Sequence, residues 1–239
     1  MRPRNAYAGF GRAIAAALCA AGATVIGVAR DRTALEEVRA ELGEAFTPVA
    51  ADVTDPTVAG QLIDHYPPRI LVLNAGAAPL NRPLQHHTWE TFSRNWDVDV
   101  AQAFHWTREA LLRPLDPGSV VIAMSSGAAV MGSPTSGGYA GERDRQVHQC
   151  LCRGGIRTRG AGHQVRLGAA ETHAYWCRGG GRDGICRAVR QGDVAAYLEQ
   201  LGPTLTLEQV GKAITELAAD STYDERAYML TPAGLTPAK

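Results

Sequence analysis

Short apolar runs rich in branched residues recur along this chain, and each gives way to a segment with helical periodicity. Thr24-Val25-Ile26-Gly27-Val28-Ala29-Arg30, Phe46 to Ala50, Arg69-Ile70-Leu71-Val72-Leu73 and Val120-Val121-Ile122-Ala123-Met124 have the length of strands. Helical patterns lie between them. One is Ala-rich and runs to Ala21 with Gly22 as its C-cap; others run from about Thr33 to Leu42 and through Leu62 and Ile63. Trp89 to Leu112 reads as one long helix, with Phe92, Trp96, Val100 and Phe104 at helical spacing. Strands alternating with helices predict an α/β fold, a parallel sheet with helices packed on it. Val120 to Met124, apolar throughout, suits a strand buried on both faces.

With 239 residues and 45% hydrophobic content, the chain can bury a full core, and residues 1–239 are expected to form a single domain. The formal net charge is zero, so the chain as a whole offers no footprint for nucleic acid or an anionic membrane. No stretch reads as a signal peptide or as an apolar span, which makes a cytoplasmic protein the expectation. The five cysteines include no C-x-x-C pair and read as neither a disulfide framework nor a zinc ribbon.

The chemistry-bearing residues cluster at the ends of these runs. The Val120 strand ends in Ser125 and Ser126, and Gly137-Gly138-Tyr139 follows a short loop later. Two hydroxyls so placed can meet over one substrate carbonyl; a core strand, a polar turn and an aromatic helix start explain the same letters. Gly9-Phe10-Gly11 precedes the first helical pattern, as a phosphate-binding turn requires. Asp52-Val53 follows the run from Phe46 to Ala50, and Asn74-Ala75-Gly76 follows the run ending at Leu73.

In combination these motifs resemble the short-chain dehydrogenase/reductase family. The resemblance implies a Rossmann-like, doubly wound parallel sheet in three layers, α/β/α. It implies hydride transfer between NADP(H) or NAD(H) and a small-molecule carbonyl or secondary alcohol, with Tyr139 as acid/base and Ser126 orienting the carbonyl. Gly9, Phe10, Gly11, Arg30, Asp52, Val53, Asn74, Ala75 and Gly76 would hold the cofactor. Arg30, where an acidic residue would bind the ribose of NAD, suits the extra phosphate of NADP. Family members pair as dimers or tetramers, so the same is implied here.

Four departures stand beside the resemblance. Asn5 takes the place of the first glycine in the phosphate turn, and MRPRNAYA, with Pro3, is a poor central strand. The first strand is therefore expected to be missing, leaving its two neighbours with unpaired backbone. Asp99 stands where the family has an Asn that anchors a proton relay. Arg143 stands where a Lys follows the Tyr, and a guanidinium is no equivalent of an ammonium.

The fourth departure is residues 142–190, Arg- and Gly-rich, with no sustained helical stripe and only Gln164 to Leu167 as a marginal strand. One reading is a metal site from His148, Cys150, Cys152, His173 and Cys177, off the usual ligand spacing. Another is an RNA-contacting insert. A third is a pair of compensating frameshifts: codons read one base later permit words like the helix and strand the fold lacks. The pattern returns at Asp193 with amphipathic helices, and Ala227 to Leu230 fits a last strand.

Overall fold

The structure is a computed structural model, and it describes residues 7–80, 82–126, 137–139, 164–170, 205–223, 225 and 227–238. Six helices are named here: α1 (Tyr7–Ala20), α2 (Arg32–Leu42), α3 (Pro56–His65), α4 (Trp89–Ser93), α5 (Ala101–Leu112) and α6 (Leu207–Ala219). The strands are β1 (Val25–Ala29), β2 (Phe46–Ala50), β3 (Ile70–Leu73), β4 (Val120–Ser126), β5 (Gln164–Ala170), β6 (Ala227–Thr231) and β7 (Gly234–Pro237).

Local chemistry explains the helix boundaries. Asp31 and Asp55 cap α2 and α3, their carboxylates accepting from the backbone N–H groups of Ala34 and Thr57. Pro56 opens α3 where no N–H is needed. Thr88 with Thr91, and Thr206 with Gln209, form reciprocal capping boxes at α4 and α6.

The strands fall into two sheets, β1-β2 and β3-β4-β5-β6-β7. All pairings are parallel except β6 with β7. Alternation along β4 shows three layers. Val121 and Ala123 face a core with Leu71, Leu73, Ile63, Trp106 and Ala110, under α3 and α5. Val120, Ile122 and Met124 face the other core, with Ile14, Leu18, Val210, Ile214 and Leu217 from α1 and α6. A strand covered on both faces has no polar side to show, which is why β4 reads as an unbroken apolar run.

The strand expected to be missing would lie between β1 and β3, and residues 1–6 fall outside the described residues. Among the described residues each pairs on one side only, β1 with β2 and β3 with β4. The side-chain cores nevertheless run past the seam. Val25 packs against the same cluster as Ile70 and Val72, and Val28 against the cluster of Leu71 and Leu73. Helix α1 straddles the boundary, with Ile14 and Leu18 in the core of the larger sheet and Ala15 against Leu35 and Phe46. Hydrophobic packing is therefore continuous where the hydrogen-bond ladder among the described residues is not.

Three features differ from the sequence reading. The helix expected over 89–112 is interrupted: α4 stops at Ser93, and Trp96–Val100 forms a π turn before α5. Its stripe of Phe92, Trp96, Val100 and Phe104 is not its buried face, since Trp96 and Phe104 are 39% and 47% exposed. The covered side carries Asp99, Gln102, Ala103, Trp106, Thr107 and Ala110. Finally, the marginal strand at 164–167 extends to Ala170 and joins β4 to β6, and β7 adds an antiparallel edge after Thr231.

Candidate active site

Parallel pairing puts the carboxyl ends of β1 and β2 together, and those of β3 and β4 together: Ala29 pairs with Ala50 and Leu73 with Ala123. Helix α5 joins the two pairs on one edge, its Trp106 bonding the Val53 carbonyl after β2 and its Gln102 and Ala103 lining a cavity with Ala75 and Met124 at the ends of β3 and β4. β4 runs three residues beyond its pairing with β3 and ends in Ser126, which is buried. In open α/β sheets this edge is where ligands bind.

The Asp52–Val53 turn is held from two sides. Asp52 Oδ1 accepts from the Thr54 backbone N–H at 2.9 Å and the Thr54 hydroxyl at 2.8 Å. These bonds hold the Asp52 carboxyl below its ordinary value, and the Arg30 guanidinium adds to the effect. Arg30 and Asp52, both exposed, are thus neighbours in charge at the ends of β1 and β2. The Val53 carbonyl accepts from the indole N–H of Trp106 at 2.9 Å, which ties this turn to α5.

A second anchor holds the chain that leaves β3 through Asn74-Ala75-Gly76. Asn95 Nδ2 donates to the Ala77 carbonyl at 2.7 Å, and the Ala77 N–H donates to Asp99 Oδ1 at 2.7 Å. Both side chains are buried. Asp99 thus accepts from the Ala77 N–H, and the amide of Asn95, four residues earlier, donates to the Ala77 carbonyl. Asp99 lies in the π turn and Asn95 caps it, so the two hold the N–H and the carbonyl of one residue, Ala77; such turns are frequent at functional sites. Beside it Leu73, Ala75, Asp99, Gln102, Ala103, Ala123 and Met124 line a cavity of about 10 Å³, the room of about one water.

The glycine turn departs from expectation. Gly9, Phe10 and Gly11 lie inside α1, not ahead of it, because the helix already begins at Tyr7. Gly9 still falls among the first four residues of the helix, whose N–H groups have no partner within it. Gly11 sits where a β-carbon would come within 3.2 Å of Asn74 Nδ2. The helix start and the end of β3 thus meet closely, and a β-carbon at Gly11 would press on the Asn74 amide. N–H groups without a partner in the helix and a close glycine approach fit the pyrophosphate of a dinucleotide.

Tyr139 is buried, directly after Gly137 and Gly138, which press on His87 and Phe92. Arg143 lies outside the described residues, as do Asn5 and the ligands considered for a metal, His148, Cys150, Cys152, His173 and Cys177. Among the described residues no cluster could hold a metal ion, and no helix is long and apolar enough to cross a membrane. Sequence reasoning missed Asn95 and Trp106. Their one signal was position: both lie off the aromatic stripe, on the face that turns inward.

The family model described as short chain dehydrogenase matches residues 5–142, ending where the sequence goes off-pattern. Serine 3-dehydrogenase of Rhizobium radiobacter is 32% identical over 130 residues, 52% of this chain and 52% of that protein. Short chain dehydrogenase/reductase dpmpG of Macrophomina phaseolina is 31% identical over 158 residues, 61% of this chain and 87% of that protein. The chain spans about half the length of the first curated relatives it matches. Among solved structures, a short-chain dehydrogenase/reductase (glucose/ribitol dehydrogenase) from Brucella melitensis superposes with a TM-score of 0.75 at 19% identity, over 94% of this chain and 91% of that one. NAD+-bound xylitol dehydrogenase gives 0.72 at 17% identity, over 90% and 89%. At such identities the structural likeness speaks for the fold, a Rossmann-type α/β sheet. With the family model covering more than half of it, the chain belongs to the short-chain dehydrogenase/reductase family.

Proposed function

We propose that the chain is an NADP-preferring oxidoreductase, transferring hydride between NADP(H) and the carbonyl or secondary alcohol of a small molecule. The observation that carries this reading is the common edge. Arg30, Asp52, Asn74 and Ser126 all leave parallel strands there, with Gly11 of α1 packed against Asn74. Gly9, Phe10 and Gly11 would hold the pyrophosphate, Arg30 the extra phosphate, and Asp52 and Val53 the adenine. Asn74, Ala75 and Gly76 would line the cleft.

When bound, the nicotinamide supplies or accepts the hydride. Ser126 donates a hydrogen bond to the substrate oxygen and fixes its place. Tyr139 gives that oxygen a proton in reduction and takes it back in oxidation. Asp99, through Ala77, holds the loop after β3 in position. Arg143 supplies a positive charge four residues after Tyr139, but a guanidinium stays protonated and passes no proton on. Turnover is therefore slow. Self-association as a dimer is also part of this reading, supported by the exposed Trp89, Trp96, Phe104 and Leu112 along residues 89–112.

A second reading, dinucleotide binding without turnover, is favoured by the seam between β1 and β3, because it lies beside α1 and its glycines. NADPH oxidation with a panel of aldehydes and ketones, run beside NADPH binding, separates the two. The first reading expects turnover that falls at least about 100-fold in Tyr139→Phe with binding retained. Binding without any turnover favours the second. Turnover at the same rate in Tyr139→Phe and Ser126→Ala sinks the catalytic assignment.

A further inference from the structure

We propose that His87 is a positioning residue that seats the turn delivering Tyr139; this rests on Tyr139 being the residue that handles the proton. His87 directly precedes Thr88, the N-cap of α4, so the capping box of Thr88 and Thr91 fixes its backbone. Its Nδ1 lies 3.2 Å from Thr91 Oγ1, and its ring meets Phe92 edge to face at 6.4 Å between centroids. The ring is thus held in one orientation from two directions.

The other edge of the ring faces the chain that enters Tyr139. A β-carbon at Gly137 would stand 2.7 Å from both Cε1 and Nε2 of His87, closer than such atoms approach. Gly137 also has φ 54°, in the left-handed region that costs other residues free energy. At Gly138 a β-carbon would overlap the Phe92 carbonyl oxygen. The two residues before Tyr139 therefore rest on consecutive contacts of one helix start, Gly137 on His87 and Gly138 on Phe92. The height of the imidazole sets where the turn lies, and the turn sets where the phenol begins.

The unused nitrogen points the same way. His87 Nε2 is buried and has no hydrogen-bond partner among the described residues. Among the described residues the ring is held at Gly137 by its shape and by Thr91, with no bond from Nε2. An aromatic ring of similar outline should do the same work, and a methyl group should not.

The experiment uses the full chain with carbon-13 in its tyrosine rings, the Tyr139 signal being assigned by its loss in Tyr139→Phe. His87→Ala is expected to move the Tyr139 signal and lower kcat about 10- to 100-fold, with KM and the melting midpoint near those of the parent. His87→Phe is expected to restore both. Gly137→Ala should reproduce the defect, and His87→Ala combined with Gly137→Ala should do less harm than the two effects summed. A Tyr139 signal unmoved in folded His87→Ala, or strictly additive effects of the pair, overturns the proposal. Should His87→Ala not fold, Gly137→Ala tests the same contact from the other side. If the parent turns over no substrate, the catalytic reading fails by itself, and the Tyr139 signal still decides the role of His87.

Discussion

The seam between β1 and β3 gives the account a quantitative test. Replace residues 1–6 with a six-residue β-branched segment ending in glycine, so that it leads into α1 as a strand leads into a βα turn. β1 spans Val25–Ala29 and β3 spans Ile70–Leu73, each with one side unpaired among the described residues. A strand between them would form about eight ladder bonds, worth about 1 kcal/mol net apiece. Ordering about six residues costs roughly 1–2 kcal/mol each, which nearly cancels that gain. The margin comes from about three newly buried branched side chains at roughly 1.5–3 kcal/mol each. A net gain of about 5 kcal/mol follows, large against a typical total of roughly 5–15 kcal/mol. Urea unfolding followed by tryptophan fluorescence reads it. With a slope near 2 kcal/mol/M the midpoint should rise by about 2 M or more. A control with proline at alternate positions cannot form the ladder and should leave the midpoint where it was. Equal midpoints for the strand-former and the proline control would refute the reasoning, because the edges of β1 and β3 would then need no partner.

Other consequences follow from single contacts. A β-carbon at Gly211 would meet the Ala13 carbonyl oxygen at 2.7 Å and the Ala17 methyl at 2.9 Å, so Gly211→Val should part α1 from α6 and cost about 2 kcal/mol or more in denaturant unfolding. Asn95→Ala removes the donor to the Ala77 carbonyl and should cost about 1–3 kcal/mol, with hydrogen exchange rising in residues 74–80 and not in β6. Asp52 has a carboxyl held below its ordinary value, so the unfolded chain binds its proton first as pH falls. Its contribution is present above the ordinary carboxylate range and lost on acidification through the folded value. Asp52→Asn should therefore flatten the stability profile below about pH 4 and leave its slope at neutral pH unchanged.

The sequence was legible where local pattern and global packing agree. β1 to β4 each appear within a residue or two of their apolar runs, and Gly22 ends α1 in the left-handed conformation expected of a C-cap. The reading of residues 1–6 as a poor strand, from Pro3 and the polar, basic start, falls outside the described residues; among those, β1 and β3 each pair on one side. The largest apolar residues of 89–112 do not mark its buried face. Trp96 and Phe104 outweigh Ala103 and Ala110 in hydrophobicity, yet the close approach of α3 and the turn at Val53 favours small residues and one indole with a bonded N–H. The π turn was illegible because its cause is tertiary: Asn95 and Asp99 grip a backbone unit eighteen or more residues earlier in the chain. β7 escaped because Gly234-Leu235-Thr236-Pro237 is short and flanked by turn residues, and it gains its place only as an antiparallel edge to β6. The strand at Gln164–Ala170 forms despite its weak pattern, paired on both sides in a parallel sheet.

The candidate site was legible as a set of strand ends and illegible as a set of supports. Asp52, Asn74 and Ser126 announce themselves by following apolar runs. Asn95, Trp106 and His87, which hold the neighbouring backbone, lie where no motif marks them.

The most direct test of the central claim is a titration of the intact chain with NADPH and with NADH, read by nucleotide fluorescence. The account predicts saturable binding of NADPH, tighter than NADH, with the preference lost in Arg30→Glu and both affinities reduced in Gly11→Val. Failure of either dinucleotide to bind at millimolar concentration, in a chain that remains folded, would contradict it.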